Sequence, residues 1–191
     1  MAGLLIVFSA PSGAGKTTII DYLLKHFPNE FCYSISATTR KPRAGEINGQ
    51  NYFFLSVNEF KKKIDNNEFI EWEIVHENYY GTLKSRVEPL LHAGKNIVFD
   101  IDVKGGLKIK TAYPQNSMLI FITAPSIELI IDRLRKRGTE SETEIKKRIE
   151  RYAIELEKAK YFDFIVINET VVTTVEQILK IIQTYKETHQ V

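Results

Sequence analysis

A chain of 191 residues with 43% hydrophobic content can bury one compact core, and Lys+Arg 26 against Asp+Glu 24 leaves a net charge of +2, too balanced for bulk attraction to nucleic acid or an anionic membrane. The single Cys32 excludes an intrachain disulfide, no apolar run approaches the roughly 20 residues of a membrane span, and there is no repeat or low-complexity tract. The first residues lack a signal-peptide pattern, so a reducing cytoplasm is the expected setting.

Leu4 to Phe8 is short and rich in branched side chains, as a central parallel strand is, and Ser-Ala-Pro-Ser-Gly-Ala-Gly-Lys-Thr-Thr follows at 9 to 18. Residues Ala10, Pro11, Ser12, Gly13, Ala14, Gly15, Lys16, Thr17 and Thr18 read as a phosphate-binding loop. Gly13 and Gly15 remove Cβ atoms that would block an anion, so backbone N–H groups can point inward. Lys16 adds a point charge for the β- and γ-phosphates, the Thr17 hydroxyl suits a magnesium ion, and the next helix offers its positive N-terminal end. The usual pattern G-x-x-x-x-G-K-[ST] has Ala10 in place of its first glycine. An ordinary glycine-rich turn is the plain alternative, but strand, loop, lysine and hydroxyls stand in the required order, and a nucleoside triphosphate is the expected ligand.

Ile19, Ile20, Leu23, Leu24 and Phe27 mark a helix over Thr17 to Phe27, ended by Pro28-Asn29. Phe31 to Ser36 alternates as a second strand, and the polar run from Thr38 to Glu46 takes the chain out of the core. Tyr52 to Leu55, Phe69 to Val75 and Asn78 to Thr82 read as short strands around a helix that opens at Ser56, with Glu59 completing a capping box. A helix from Lys84 to Gly94, an apolar strand Asn96 to Asp102, a helix Val103 to Ala112, a strand Met118 to Thr123 and a helix from Ser126 restore the alternation of a parallel α/β sheet. Residues 133–160 are charged and poor in apolar side chains; Gly138 and a capping box of Ser141 with Glu144 split them into a solvated, hinged helical lid. Strand Phe164 to Ile167 and a helix with Val175, Ile178, Leu179, Ile182 and Tyr185 on one side close the chain. The expected fold class is α/β, a P-loop NTPase core with a parallel sheet flanked by helices, plus an inserted α+β lobe and a helical lid. It forms one domain over 3–184, with core segments 3–36, 84–132 and 161–190, lobe 37–83 and lid 133–160.

Asp100 and Asp102 end an apolar strand, where open α/β sheets bind ligands. Asp100 is a candidate to hold magnesium with Thr17, although strand ends are often simply polar. Arg40 and Arg43 stand three apart in a loop held by Pro42, and guanidinium forks match phosphate oxygens. Loop arginines are commonly just solvated. Here Tyr52, Glu71, Tyr80 and Thr82 on the lobe strands can share a pocket with them, with Tyr79 packing inward and Tyr80 offering its hydroxyl.

Six motifs together resemble the guanylate kinase family: the loop at 9 to 18, Ser-Ala-Thr-Thr-Arg-Lys-Pro-Arg-Ala-Gly-Glu at 36 to 46, Asn-Gly-Gln-Asn-Tyr-Phe-Phe at 48 to 54, Phe-Ile-Glu-Trp at 69 to 72, Asn-Tyr-Tyr-Gly-Thr at 78 to 82 and Asp-Ile-Asp-Val-Lys-Gly at 100 to 105. Arg-Gly-Thr-Glu at 137 to 140, Lys-Lys-Arg at 146 to 148 and Ile-Val-Ile-Asn at 165 to 168 extend the resemblance through the lid to the last strand. It implies transfer of the γ-phosphoryl group of ATP to GMP, and to dGMP, with Mg2+ as cofactor, small-molecule partners only and a monomer or homodimer. It implies that Ser36, Arg40, Arg43, Tyr52 and Tyr80 hold the GMP phosphate and that Glu71 and Thr82 read guanine with Asp102. It also implies that Arg133 and Arg137 approach the ATP side, Arg148 reaches the transferring phosphate and Asn168 contacts adenine, which makes Lys16, Arg40, Arg43, Arg137 and Arg148 the catalytic set. Thr82 stands where serine is often found and keeps the hydroxyl. The rival readings are a catalytically inactive phosphopeptide-binding module of the same fold and a P-loop kinase with a phosphorylated sugar acceptor. The intact Gly13, Gly15, Lys16 and Thr17 argue against the first, and the Glu71 and Thr82 pair against the second.

Overall fold

The computed structural model describes residues 3–138 and 141–189, apart from the side chains of Arg137 and Arg151. Five strands, β1 (Leu5–Ser9), β2 (Phe31–Tyr33), β7 (Asn96–Asp100), β8 (Ser117–Thr123) and β9 (Phe164–Ile167), form a parallel sheet in the order β2-β7-β1-β8-β9. In its centre Val7 pairs with Phe99 on one side and Leu119 on the other. Every residue of β1 and β8 is buried, which is why these strands read as unbroken apolar runs: helices cover both faces. One face packs Ile6, Phe8 and Ile120 against α1 (Lys16–His26) and α7 (Val171–His189) through Ile19, Leu23, Ile178 and Ile182. The other packs Leu5, Val7 and Phe99 with Val87 of α3 (Lys84–His92) and Ile109 of α4 (Val103–Ala112).

Between β2 and α3 lies a second sheet, β4-β3-β6-β5, built from β3 (Ala37–Thr38), β4 (Phe53–Phe54), β5 (Phe69–Val75) and β6 (Asn78–Leu83). Its apolar side holds Ala37, Phe69 and Leu83 against Phe60 of α2 (Val57–Asp65), with the Phe60 and Phe69 rings stacked at 4.2 Å. The expected capping box at Ser56 and Glu59 is present. Strands β5 and β6 join through His76 and Glu77, both at positive φ (46° and 67°), so two side-chain-bearing residues make the tight turn.

Two helices, α5 (Ile127–Arg137) and α6 (Glu142–Ala159), follow β8, with Gly138 in the left-handed region ending the first and a Ser141–Glu144 capping box starting the second. They are less uniformly solvated than their charge suggests. Ile130, Leu134 and Ile145 are buried with Ala124, and Ile131, Ile149 and Tyr152 pack on them, because three- and four-residue spacings put these side chains on facing stripes.

Several strand ends also differ from expectation, β4 covering only Phe53–Phe54, and two of them bear on the site. β2 stops at Tyr33, not Ser36, since the chain bends at 34–36 to enter the other sheet at Ala37. β7 stops at Asp100, so Asp102 is not a strand residue; it is the N-cap of α4, its carboxylate accepting from the Gly105 N–H at 2.8 Å.

Candidate functional site

The carboxyl ends of β1 and β7 meet where the Ser9 hydroxyl donates to the Ile101 carbonyl at 2.7 Å. From there the chain turns through Ala10 to Gly15 and enters α1 at Lys16. Gly13 and Gly15 hold φ of +87° and +90°, conformations that side chains resist, and a Cβ on Gly15 would sit 2.3 Å from the Asn168 amide nitrogen. No acidic residue occupies the first turn of α1, so the exposed N–H groups and helix dipole are left for an anion. Thr17 and Thr18 are exposed there. Lys16 reaches across to Asp100, Nζ to Oδ1 2.5 Å.

Three distant segments brace this loop. Arg133 on α5 donates to the Gly13 carbonyl at 3.3 Å. Arg148 on α6 donates to the Ser12 hydroxyl. Asn168, 3% exposed, donates its amide to the Ala14 carbonyl at 2.7 Å. Gly13, Gly15, Thr18, Arg133 and Asn168 line a cavity of ≈ 370 Å³ on one side of the loop. On the other, Lys16, Asp100, Asp102, Lys104 and Lys158 line one of ≈ 260 Å³, with Ile154 of α6 on its wall. The Arg137 side chain lies outside the described residues.

A second cationic centre lies on the lobe sheet. Arg40 grips Glu46 with both ends of its fork (Nη1–Oε2 3.0 Å, Nη2–Oε1 2.7 Å), and the Arg43 N–H donates to the same carboxylate at 2.7 Å. These bonds hold Glu46 down to about 2, well below the usual carboxylate range. The Arg40 guanidinium also lies 5.3 Å from the centre of the Tyr52 ring, and Tyr52 and Tyr80 meet edge to face at 6.0 Å. Ser36 lies at the entry to β3, half-buried, and its carbonyl accepts from Phe53. Arg43 is exposed.

Beside it, Glu71 is 8% exposed and Thr82 is fully buried, and the Thr82 hydroxyl donates to Glu71 Oε1 at 2.7 Å. Burial raises the Glu71 pKa, opposed by that hydrogen bond and by Lys108; the Asp102 and Glu73 charges push it further up. A Cβ on Gly105 would lie 3.5 Å from both Glu71 Oε2 and Asp102 Oδ1, so the first turn of α4 brings the two carboxylates close to one small residue. Tyr79 packs inward against Phe60, as its place in the strand suggests.

The structure therefore gathers Lys16, Asp100, Arg133, Arg148 and Asn168 at one loop, and Arg40, Arg43, Tyr52, Tyr80, Glu71, Thr82 and Asp102 around the lobe and the end of α4. Sequence reasoning missed Glu46 as a partner of Arg40. Its place three residues after Arg43 was the available signal. It also missed Thr174, whose hydroxyl donates to Asn168 Oδ1 at 3.2 Å, and no local pattern announces that pair.

The family profile described as guanylate kinase matches residues 3–185. The guanylate kinase of Porphyromonas gingivalis is 49% identical over 179 residues, 93% of this chain and 95% of that protein. That of Chlorobium chlorochromatii is 46% identical over 177 residues, 93% of each. The crystal structure of guanylate kinase from Anaplasma phagocytophilum superposes with a TM-score of 0.73 at 28% identity, covering 96% of this chain and 86% of that one.

Proposed function

The chain belongs to the guanylate kinase family and transfers the γ-phosphoryl group of ATP to GMP, and we propose from its geometry which residues do the work. The loop from Ala10 to Thr18 is the donor half. Its N–H groups and Lys16 cradle the ATP phosphates, while Arg133 and Asn168 border the adenine side, supported by the ≈ 370 Å³ cavity they line beside the loop, and Arg137 is assigned to that side from the family resemblance alone. Arg148, already on the Ser12 hydroxyl, is in place to meet the phosphoryl group in transit. The Thr17 hydroxyl on the first turn of α1 and the Asp100 carboxylate are hard oxygen donors that fit Mg2+. When bound, the ion spreads the charge of the transferring group over fixed positive centres.

The acceptor half is the lobe. Arg40, Arg43, Ser36, Tyr52 and Tyr80 hold the GMP phosphate, and Glu71 with Thr82 and Asp102 reads the base. The observation that carries this half is the buried Glu71 carboxylate, oriented by Thr82. Guanine presents two adjacent donors, N1–H and N2–H, to such a carboxylate, whereas adenine presents a lone pair at N1. A site built to pair with buried donors rejects a base lacking them by about 10⁴. The acceptor phosphate is already ionised at neutral pH, so no general base is needed, and His26, His76 and His92 carry no catalytic role. Catalysis comes from positioning and charge stabilisation by Lys16, Arg40, Arg43, Arg137 and Arg148.

We take residues 37–83 as the GMP lobe, 133–160 as the lid and the rest as core, in a cytoplasmic enzyme that uses dGMP as well. A coupled assay with ATP and GMP, dGMP, IMP or AMP tests the reading. IMP, lacking the N2 donor, falls between GMP and AMP, and equal rates for GMP and AMP sink the guanine assignment.

A further inference from the structure

We infer that Thr174 is a positioning residue for ATP, acting through Asn168 on the phosphate-binding loop. The inference rests on the reading of that loop as the donor site. Asn168 and Thr174 are 3% and 1% exposed, so water does not compete for their polar atoms. The Ala14 carbonyl can only accept, so the amide face of Asn168 must turn to it, at 2.7 Å. The Asn168 oxygen then faces the other way and takes the Thr174 hydroxyl proton at 3.2 Å. One hydroxyl on α7 thereby sets the orientation of a carboxamide after β9, which in turn fixes a carbonyl in the loop.

The peptide linking Ala14 to Gly15 is planar and trans, so its C=O and N–H point in opposite directions. Drawing the Ala14 carbonyl outward to Asn168 aims the Gly15 N–H inward, toward where an anion is cradled. The fit of Gly15 against the Asn168 nitrogen is close, a Cβ there approaching to 2.3 Å, so the carboxamide lies directly on the loop backbone and a change in its tilt is felt there.

Thr174→Val keeps the shape and removes the proton donor, leaving the Asn168 oxygen buried and unpaired, free to lose its orientation. KM for ATP is expected to rise ~10-fold, with KM for GMP within twofold of the parent, and Thr174→Ser to restore the parent value. ATP binding by calorimetry should weaken in step. Unchanged ATP affinity in Thr174→Val, or equal loss for both substrates, overturns the inference; Thr174→Ala carries the same test where the valine variant does not fold. Lys16→Ala, measured alongside, separates the two levels: if it too leaves ATP binding intact, the donor-site reading fails, and if it alone abolishes binding, only the role of Thr174 fails.

Discussion

Replacing Glu71 by glutamine changes a charge and almost no volume, at a position only 8% exposed. The direction in which the new amide settles follows from its neighbours. The Thr82 hydroxyl donates to Oε1 at 2.7 Å and keeps an oxygen there. The Asp102 carboxylate, near the Oε2 side across Gly105, draws the amide nitrogen to the other position. One guanine donor then faces the amide nitrogen, and the other meets a neutral oxygen in place of a charged one. Hydrogen bonds to a charged group contribute about 1.5–3 kcal/mol and neutral ones about 0.5–1.5, so forfeiting one and weakening the other costs ~2.5–4.5 kcal/mol. At about 1.4 kcal/mol per factor of ten, kcat/KM for GMP should fall ~10²–10³-fold or more in Glu71→Gln. ATP binding, measured by calorimetry, should be unchanged, and the thermal midpoint should not fall, since the buried carboxylate is itself unfavourable in its charged form. A kcat/KM for GMP within threefold of the parent in the coupled assay would refute the pairing of this carboxylate with the base.

Because burial raises the Glu71 pKa, the folded protein binds this proton more tightly than the unfolded chain between the ordinary carboxylate value and the raised one. The contribution of this group to stability is therefore present below that window and lost as pH rises through it, while GMP affinity is gained over the same window. KM for GMP measured downward from pH 7 should climb on acidification before other carboxylates titrate, and a profile flat to pH 4.5 would contradict this. Arg40→Lys removes the two-point grip on Glu46 and should raise KM for GMP ~10-fold or more without altering KM for ATP, as steady-state kinetics will report. Gly15→Ala meets both a φ of +90° and a contact of 2.3 Å with Asn168, so ATP binding should drop at least ~10-fold by calorimetry while GMP binding persists.

The central sheet could be read in advance because β1 and β8 are buried on both faces and carry that burial as unbroken apolar runs. The capping boxes at Ser56 and Ser141 were equally readable, since they depend on residues three apart. The place of the turn at His76 and Glu77 follows from the strands read on either side, but its left-handed backbone was not signalled, because the pair contains no glycine or asparagine; the pairing of the flanking strands imposes it. Asp102 illustrates a competing local rule. Its acidic side chain prolongs an apolar run on paper, yet an aspartate just before a helix prefers to cap it. At the site, residue types and short spacings point to Lys16 and Arg40, the strand position of Glu71 puts it in reach of the same pocket, and its role at guanine comes from the family resemblance. Arg40 is held by Glu46 only six residues on, whereas Lys16 meets Asp100 and the loop meets Asn168 from far along the chain, and no local periodicity encodes such contacts.

Strand β3 pairs with β6, Ala37 opposite Gly81, so the chain enters and leaves the second sheet side by side. This changes the folding arithmetic of the whole molecule. Pairing β2 with β7 sets Phe31 opposite Asn96, a closure across a long stretch of unfolded chain. Once β3 to β6 have formed, that stretch is shortcut, and the remaining gap is little more than the connection at 34–36 and the helix α3. The β5–β6 hairpin supplies a local start. Hydrogen-exchange pulse labelling during refolding should therefore protect Phe69–Val75 and Asn78–Leu83 no later than Phe31–Tyr33.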